Sequence, residues 1–77
     1  MRLDKFLKES GIIKRRTLAQ EMIEKGLVLL NGHEAKSSSR VRIGDRIRIY
    51  FPRKVLLFEV KALEGKDRVT FLGELKE

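Results

Sequence analysis

Apolar residues recur at helical spacing in the first third of the chain and alternate with polar ones over much of the rest. Leu3, Phe6 and Leu7 stand at i, i+3 and i+4. That spacing predicts a short helix over Arg2–Glu9 with Lys5 and Lys8 off its apolar face. Asp4 falls in its first turn, where a carboxylate complements the positive end of the helix dipole, and Ser10-Gly11 closes it. Ile12 and Ile13 are expected to bury as the chain crosses to a second helix. This one begins within Lys14–Thr17 and stops at Gly26, with Leu18, Ala19, Met22 and Ile23 as its stripe. Gln20, Glu21, Glu24 and Lys25 are read as facing water, and Thr17 with Gln20 fits a capping box. Helices this short are unstable alone, so they must pack on a sheet.

Val28 and Leu30 point inward from a strand over Leu27–Leu30, and Asn31-Gly32 follows as a tight turn signal. His33 to Ser39 reads as a polar loop. Val41 and Ile43 are expected to return to the core before a turn at Gly44-Asp45. Arg46–Phe51 has period two, with Ile47, Ile49 and Phe51 on one side and Arg46, Arg48 and Tyr50 on the other. Pro52 stops it. Val55–Leu63 is the next predicted strand, its run Val55-Leu56-Leu57-Phe58 read as buried on both sides, with a protein-contact surface as the alternative. Glu64–Asp67 then turns into a last strand, Arg68–Leu72. The expected fold class is α+β: two short N-terminal helices on a small, mostly antiparallel, strongly bent sheet of four to five strands. Residues 1–77 are expected to form a single domain, 1–51 as its core and 52–77 as a C-terminal β-hairpin extension.

Composition narrows the function. A chain of 77 residues buries only about 60–65% of its unfolded surface, enough for one small core. There is no cysteine and one histidine, His33, which excludes a disulfide framework, a cysteine zinc site and a multi-histidine cluster. No metal or cofactor is expected. No apolar run reaches the roughly 18 residues of a membrane span, and Asp4 and Lys5 interrupt any secretory signal core, so a soluble, cytoplasmic protein is expected. Lys and Arg number 18 against 11 acids, a net charge of +7. The excess is lopsided: residues 1–54 carry 14 basic and 6 acidic side chains, residues 55–77 carry 4 and 5. The N-terminal part therefore builds a basic surface suited to a polyanion.

Catalysis finds little to work with. His33 follows an Asn-Gly turn with nothing nearby to orient it as a base. The carboxylates stand singly among cations, the Ser37-Ser38-Ser39 run lacks a base, and no Gly-rich phosphate loop is present. The chain is expected not to be an enzyme. Binding is better supplied. Arg2, Lys5, Lys8, Lys14, Arg15 and Arg16, with the Thr17 hydroxyl, fall around two helix starts that short connections hold together, and such ends favour anions. Lys36, Ser37, Ser38, Ser39, Arg40 and Arg42 add donors for phosphate oxygens on the loop beyond the first strand. Arg16 is read as a surface cation whose loss weakens RNA binding and leaves the melting temperature nearly unchanged. Tyr50 and the four phenylalanines go mostly to the core, so a folded RNA backbone fits better than stacked single-stranded bases. Two helices in succession also suggest helix–turn–helix DNA binding. The second, however, carries Glu21 and Glu24 along its body, where a major-groove reader would carry Arg, Asn or Gln.

The order of these residues is that of a known module. Met1-Arg2-Leu3-Asp4-Lys5-Phe6-Leu7 opens it, followed by Arg15-Arg16-Thr17 with Ala19 and then Gly26-x-Val28-x-Leu30-Asn31-Gly32. Lys36 with its serines and Gly44-Asp45 before the Ile47/Ile49 strand complete it. Over residues 1 to about 51 the chain resembles the alpha-L RNA-binding domain of small-subunit ribosomal protein S-four, many pseudouridine synthases and bacterial tyrosyl-tRNA synthetases. That resemblance implies an RNA face containing Arg2, Lys5, Arg15, Arg16, Thr17, Lys36 and Ser38, with Asp4 orienting a neighbouring arginine. A free-standing domain opening MRLDKFL looks most like the heat-shock-protein-fifteen group and its short bacterial relatives in ribosome-associated quality control. This implies binding, as a monomer, to large ribosomal subunits that still carry nascent chain–tRNA. Contacts to ribosomal RNA and tRNA, and work beside other quality-control proteins, are implied as well. Two departures stand out: Arg15-Arg16-Thr17 replaces the Ser–Arg–Ser type of cap, and residues 55–77 lack the basic extension of the longer relatives. The alternatives are a DNA-binding, nucleoid-associated protein and an RNA-targeting subunit separated from its modification enzyme.

Overall fold

Helix α1 spans Leu3–Glu9 and α2 Arg16–Glu24; the strands are β1 Val28–Leu30, β2 His33–Glu34, β3 Arg46–Phe51, β4 Lys54–Val60 and β5 Val69–Leu75. The structure, a computed structural model, describes residues 1–75; positions 76 and 77, the end of the expected hairpin, lie outside the described residues. All five strands form one sheet in the order β2-β1-β3-β4-β5, and every neighbouring pair is antiparallel. The α+β expectation holds, with five strands.

Both helices lie on one face of this sheet because their apolar stripes and the inward strand residues share one core. Leu3, Phe6 and Leu7 of α1 meet Ala19, Met22 and Ile23 of α2, and Val28, Ile47, Ile49 and Val60 come from the strands beneath. Ile13, between the helices, and Val41, beyond the β2 loop, close the cluster. α2 ends in a Schellman arrangement: the Gly26 amide donates to the Ile23 carbonyl and the Leu27 amide to that of Met22, both at 3.0 Å. Gly26 sits at φ +75°, a left-handed position that suits glycine.

Five sequence expectations need correction. His33 and Glu34 are not loop but β2, paired with Leu30 and Leu29. Asn31 (φ 53°) and Gly32 (φ 83°) form a type I′ turn, whose twist matches a two-residue hairpin. Ile43 does not enter the core; it is 66% exposed at the tip of a turn in which the Asp45 carboxylate accepts from the Arg42 amide at 2.8 Å. Leu18 is also exposed, because α2 turns Ala19, Met22 and Ile23 inward and leaves Leu18 on its flank. Thr17 and Gln20 form no capping box: α2 starts at Arg16 with Arg15 as its uncapped boundary residue, so Thr17 already lies inside the helix. Lastly, Val55–Phe58 is not buried on both sides. Val55 is buried, but Leu56, Leu57 and Phe58 keep partial exposure, because the helices cover only one face of the sheet.

Strand limits also moved. β4 ends at Val60, where the next two amides turn to the Arg68 carbonyl, and β5 runs past Leu72 to Leu75. A register shift between Leu57 and Phe58 marks a bulge in the β4–β5 pairing. Of the phenylalanines, Phe6 is fully buried whereas Phe71 is 57% exposed.

The β1–β2 turn gives a first prediction. The Asn31 side chain donates to Asp45 at 3.0 Å and accepts from the Arg46 amide at 2.9 Å, tying hairpin to β3. Asn31→Ala loses both bonds and an easy positive φ, so it should cost about 1–2 kcal/mol. The melting temperature is expected to fall by roughly 5–15 °C while RNA affinity, measured on folded protein, stays unchanged.

Candidate nucleic-acid interface

Asp4 is a charged residue with no exposed surface, and the basic side chains nearest the helix starts are arranged around it. It buries because the residue after Leu3 faces the start of α2 once α1 packs there. Its isolation from water is compensated by six donors from four residues. Arg2 makes a side-on fork, Nε to Oδ1 at 3.2 Å and Nη2 to Oδ2 at 3.3 Å. Arg16 makes a second, with Nη2 at 3.3 Å from Oδ1 and Nε at 3.2 Å from Oδ2. The Gln20 amide donates to Oδ2 and the Lys5 backbone N–H to Oδ1, both at 2.8 Å. Among the described residues no buried side-chain polar atom lacks a partner.

Burial alone would raise the Asp4 pKa, since it disfavours the charged form. The hydrogen bonds from Gln20, Arg16 and the Lys5 amide, with the Arg16 charge, outweigh it and hold the carboxyl at about 2. Asp4 is therefore an anion at neutral pH. It accepts two guanidinium groups that are each near half exposed, 46% for Arg2 and 43% for Arg16. A guanidinium has five donor hydrogens and each fork uses two, leaving the remainder free to face solvent and a phosphate. One carboxylate against two arginines keeps a net positive charge while fixing two otherwise flexible side chains.

The loop after β2 is docked against the same spot. The Leu3 and Asp4 amides, first donors of α1, bond to the Ser39 and Ser37 carbonyls at 2.8 and 3.2 Å. Main-chain carbonyls thus occupy the N-terminus of α1, and anion binding at that end falls to side chains. The loop is itself braced by the Lys36 amide donating to Ser39 Oγ at 2.9 Å and by a bridge pairing Arg2 with Arg40. Lys36 and Ser38 are exposed and Ser37 half-buried, and all three line a groove with Arg2, Ala35 and the carboxylates of Glu24 and Glu34.

The sequence-predicted residues fall into two groups. Arg2, Asp4, Arg16, Lys36, Ser37, Ser38 and Arg40 converge at the meeting of α1, α2 and the loop. Arg15 and Thr17 flank Arg16 at the exposed, uncapped start of α2. Lys14 is exposed just before that helix. Lys5 and Lys8 lie along α1, Lys5 facing Glu9 at 3.7 Å, an exposed pair of little energetic weight. Sequence reading set Gln20 facing water and missed its bond to Asp4. Gln20 stands four residues after Arg16, hence on the same side of α2, and that spacing was the available signal. Among the described residues no three His, Cys, Asp or Glu side chains are grouped to hold a metal. No described helix is long and apolar enough to cross a membrane.

Comparison with known proteins follows the same lines. The S4 domain model matches residues 1–47. The RQC P-site tRNA stabilizing factor of Streptococcus pneumoniae is 54% identical over 67 residues, 87% of this chain and 74% of that protein. Its namesake from Bacillus subtilis is 48% identical over 68 residues, 88% and 79% of the two chains. Among solved structures, the trimeric heat shock protein 15 of Vibrio cholerae superposes with a TM-score of 0.84 at 29% identity, covering 94% of this chain and 81% of that one. A match across more than half the sequence, on the helices and loop that surround Asp4, shows that the chain belongs to the S4 domain family.

Proposed function

We propose that this protein is a non-catalytic RNA-binding factor of ribosome-associated quality control. In this reading it grips ribosomal RNA of the large subunit and the P-site tRNA through the face around Asp4, in the cytoplasm. The observation that carries the proposal is the Arg2–Asp4–Arg16 arrangement. Two guanidinium groups are held rigidly by a buried anion with their remaining donors outward, beside the braced Lys36–Arg40 loop. Such preorganisation suits the fixed spacing of phosphates in folded RNA, because little side-chain entropy is lost on contact. The names of its relatives, which refer to stabilising P-site tRNA, support the choice of partner. In this reading the RNA-binding unit is a single copy. Residues 1–51 supply that face, and β4 and β5 extend its sheet.

With about four to six phosphate contacts, affinity for large-subunit RNA should fall with a log–log salt slope of roughly 4–5. Sedimentation of cell extracts tests the partner: the protein should travel with large subunits, most of all after translation is stalled. Its absence from those fractions, or equal competition by duplex DNA at fixed salt, would overturn the proposal.

A further inference from the structure

We infer that Glu24 and Glu34 make this protein select RNA over DNA, by accepting hydrogen bonds from ribose 2′-hydroxyl groups in the groove beside Arg2. The inference rests on the RNA face proposed above and concerns the part of it that does not hold phosphate. The groove is lined by Arg2, Lys36, Ser37 and Ser38, which are donors, and by Glu24 and Glu34, which are acceptors. Two cations meet two carboxylates there, so the charge cancels locally in a chain that carries +7. A groove built for phosphates alone would carry no acids, because a carboxylate and a phosphate repel.

Neither carboxylate is used by the fold. Among the described residues neither makes an ion pair or a side-chain hydrogen bond, although Lys36 lines the same groove and Lys25 follows Glu24. Both also stand where a negative charge is disfavoured. Glu24 is the last residue of α2. A Cβ added at Gly26 would lie 3.0 Å from Oε1 of Glu34, so that carboxylate packs over the glycine that ends the helix. A helix C-terminus is the negative end of its dipole, and the last turn of α2 holds no basic residue. Two exposed acceptors are thus kept against the local electrostatic preference, a conflict that natural sequences tolerate chiefly at functional positions.

What the two glutamates accept follows from what each nucleic acid offers. Phosphate oxygens carry no donor. Along an RNA backbone the donor is the 2′-hydroxyl, displayed across the wide, shallow minor groove of the A-form helix. With RNA the carboxylates gain charge-assisted bonds that offset their repulsion of nearby phosphates. With DNA only the repulsion remains. Arg2 and Lys36 therefore supply affinity for a backbone, and Glu24 and Glu34 decide which backbone is accepted.

Three hairpins of one sequence test this: RNA, the same RNA with every 2′-hydroxyl methylated, and DNA. Methylation keeps the A-form helix and removes the donor. At fixed salt the parent should bind RNA about tenfold more tightly than either of the others. In the double variant Glu24→Ala, Glu34→Ala that ratio should fall below about threefold, chiefly because DNA and methylated RNA bind more tightly once the repulsion is gone. Glu24→Gln with Glu34→Gln keeps both shapes and weakens the acceptors, and it should move the ratio the same way should the alanine pair misfold. A parent that binds none of the hairpins would overturn the RNA face and this inference with it. Three results would leave the face standing and overturn the inference alone: a parent that binds all three hairpins equally, a variant that gains the same factor on all three, or a variant that weakens on RNA and methylated RNA alike, as contact with base amino groups would require.

Discussion

Asp4→Ala is expected to destabilise this protein by about 2–4 kcal/mol, which at this chain length lowers the melting temperature by roughly 10–25 °C. The carboxylate is fully buried and accepts from Arg2, Arg16, Gln20 and the Lys5 amide. Its removal leaves two guanidinium groups facing each other and an amide without an acceptor. The figure sits at the lower end for broken buried pairs because both arginines are near half exposed and can rehydrate. RNA affinity should fall as well, since both arginines lose the anion that aims them. Asp4→Asn separates charge from shape: it keeps an acceptor for the Lys5 amide and loses the two ion pairs.

The same carboxylate sets an acid dependence. Its pKa is lowered from 3.8 to about 2 by folding, so the unfolded chain takes up its proton first. The stabilisation is therefore complete above about pH 4 and is lost as pH falls through 2. It amounts to about 2 kcal/mol. Urea unfolding of the parent and Asp4→Asn between pH 2 and 6 should show two curves that converge at the acid end. Curves that stay parallel, or a variant melting within about 2 °C of the parent, would refute the role given to Asp4.

Arg16→Ala should weaken RNA binding by roughly 10–100-fold, the loss of a charge-assisted contact, and lower the salt slope by about one. The sequence alone suggested that this change would leave stability untouched. The ion pair with buried Asp4 revises that expectation to a loss of about 1–2 kcal/mol, a discounted value for a half-exposed partner. Arg15→Ala is the control. Arg15 is exposed, bounds α2 without a side-chain cap, and makes no side-chain hydrogen bond or ion pair among the described residues. It should lose RNA affinity while keeping its melting temperature. Arg16→Lys should recover only part of the binding, because an ammonium cannot make the side-on fork. Equal stability losses in Arg15→Ala and Arg16→Ala would show that the Asp4 contact contributes nothing.

Periodicity and turn chemistry are local properties, and they carried most of the fold. Leu3, Phe6 and Leu7, the Ile47/Ile49 alternation and the Asn31-Gly32 turn specify their elements within a few residues of chain. Charge asymmetry and the order of the anchor residues likewise pointed to a basic, RNA-directed N-terminal part. What the chain could not reveal by itself depended on which surfaces meet. Ile43 and Leu18 look as apolar as their buried neighbours, and only the placement of the Arg42–Asp45 turn and the exact face of α2 leaves them outside. β2 is too short for any periodic signal and exists because β1 offers an edge to His33 and Glu34. Asp4 makes the difference clearest. Its sequence position marked a helix start, but full burial of a carboxylate is tolerable only where α1, α2 and the Lys5 amide bring donors 1 to 16 residues away onto its two oxygens. Local pattern determined the elements and the sign of the surface; packing decided that one buried anion would hold two of its cations in place.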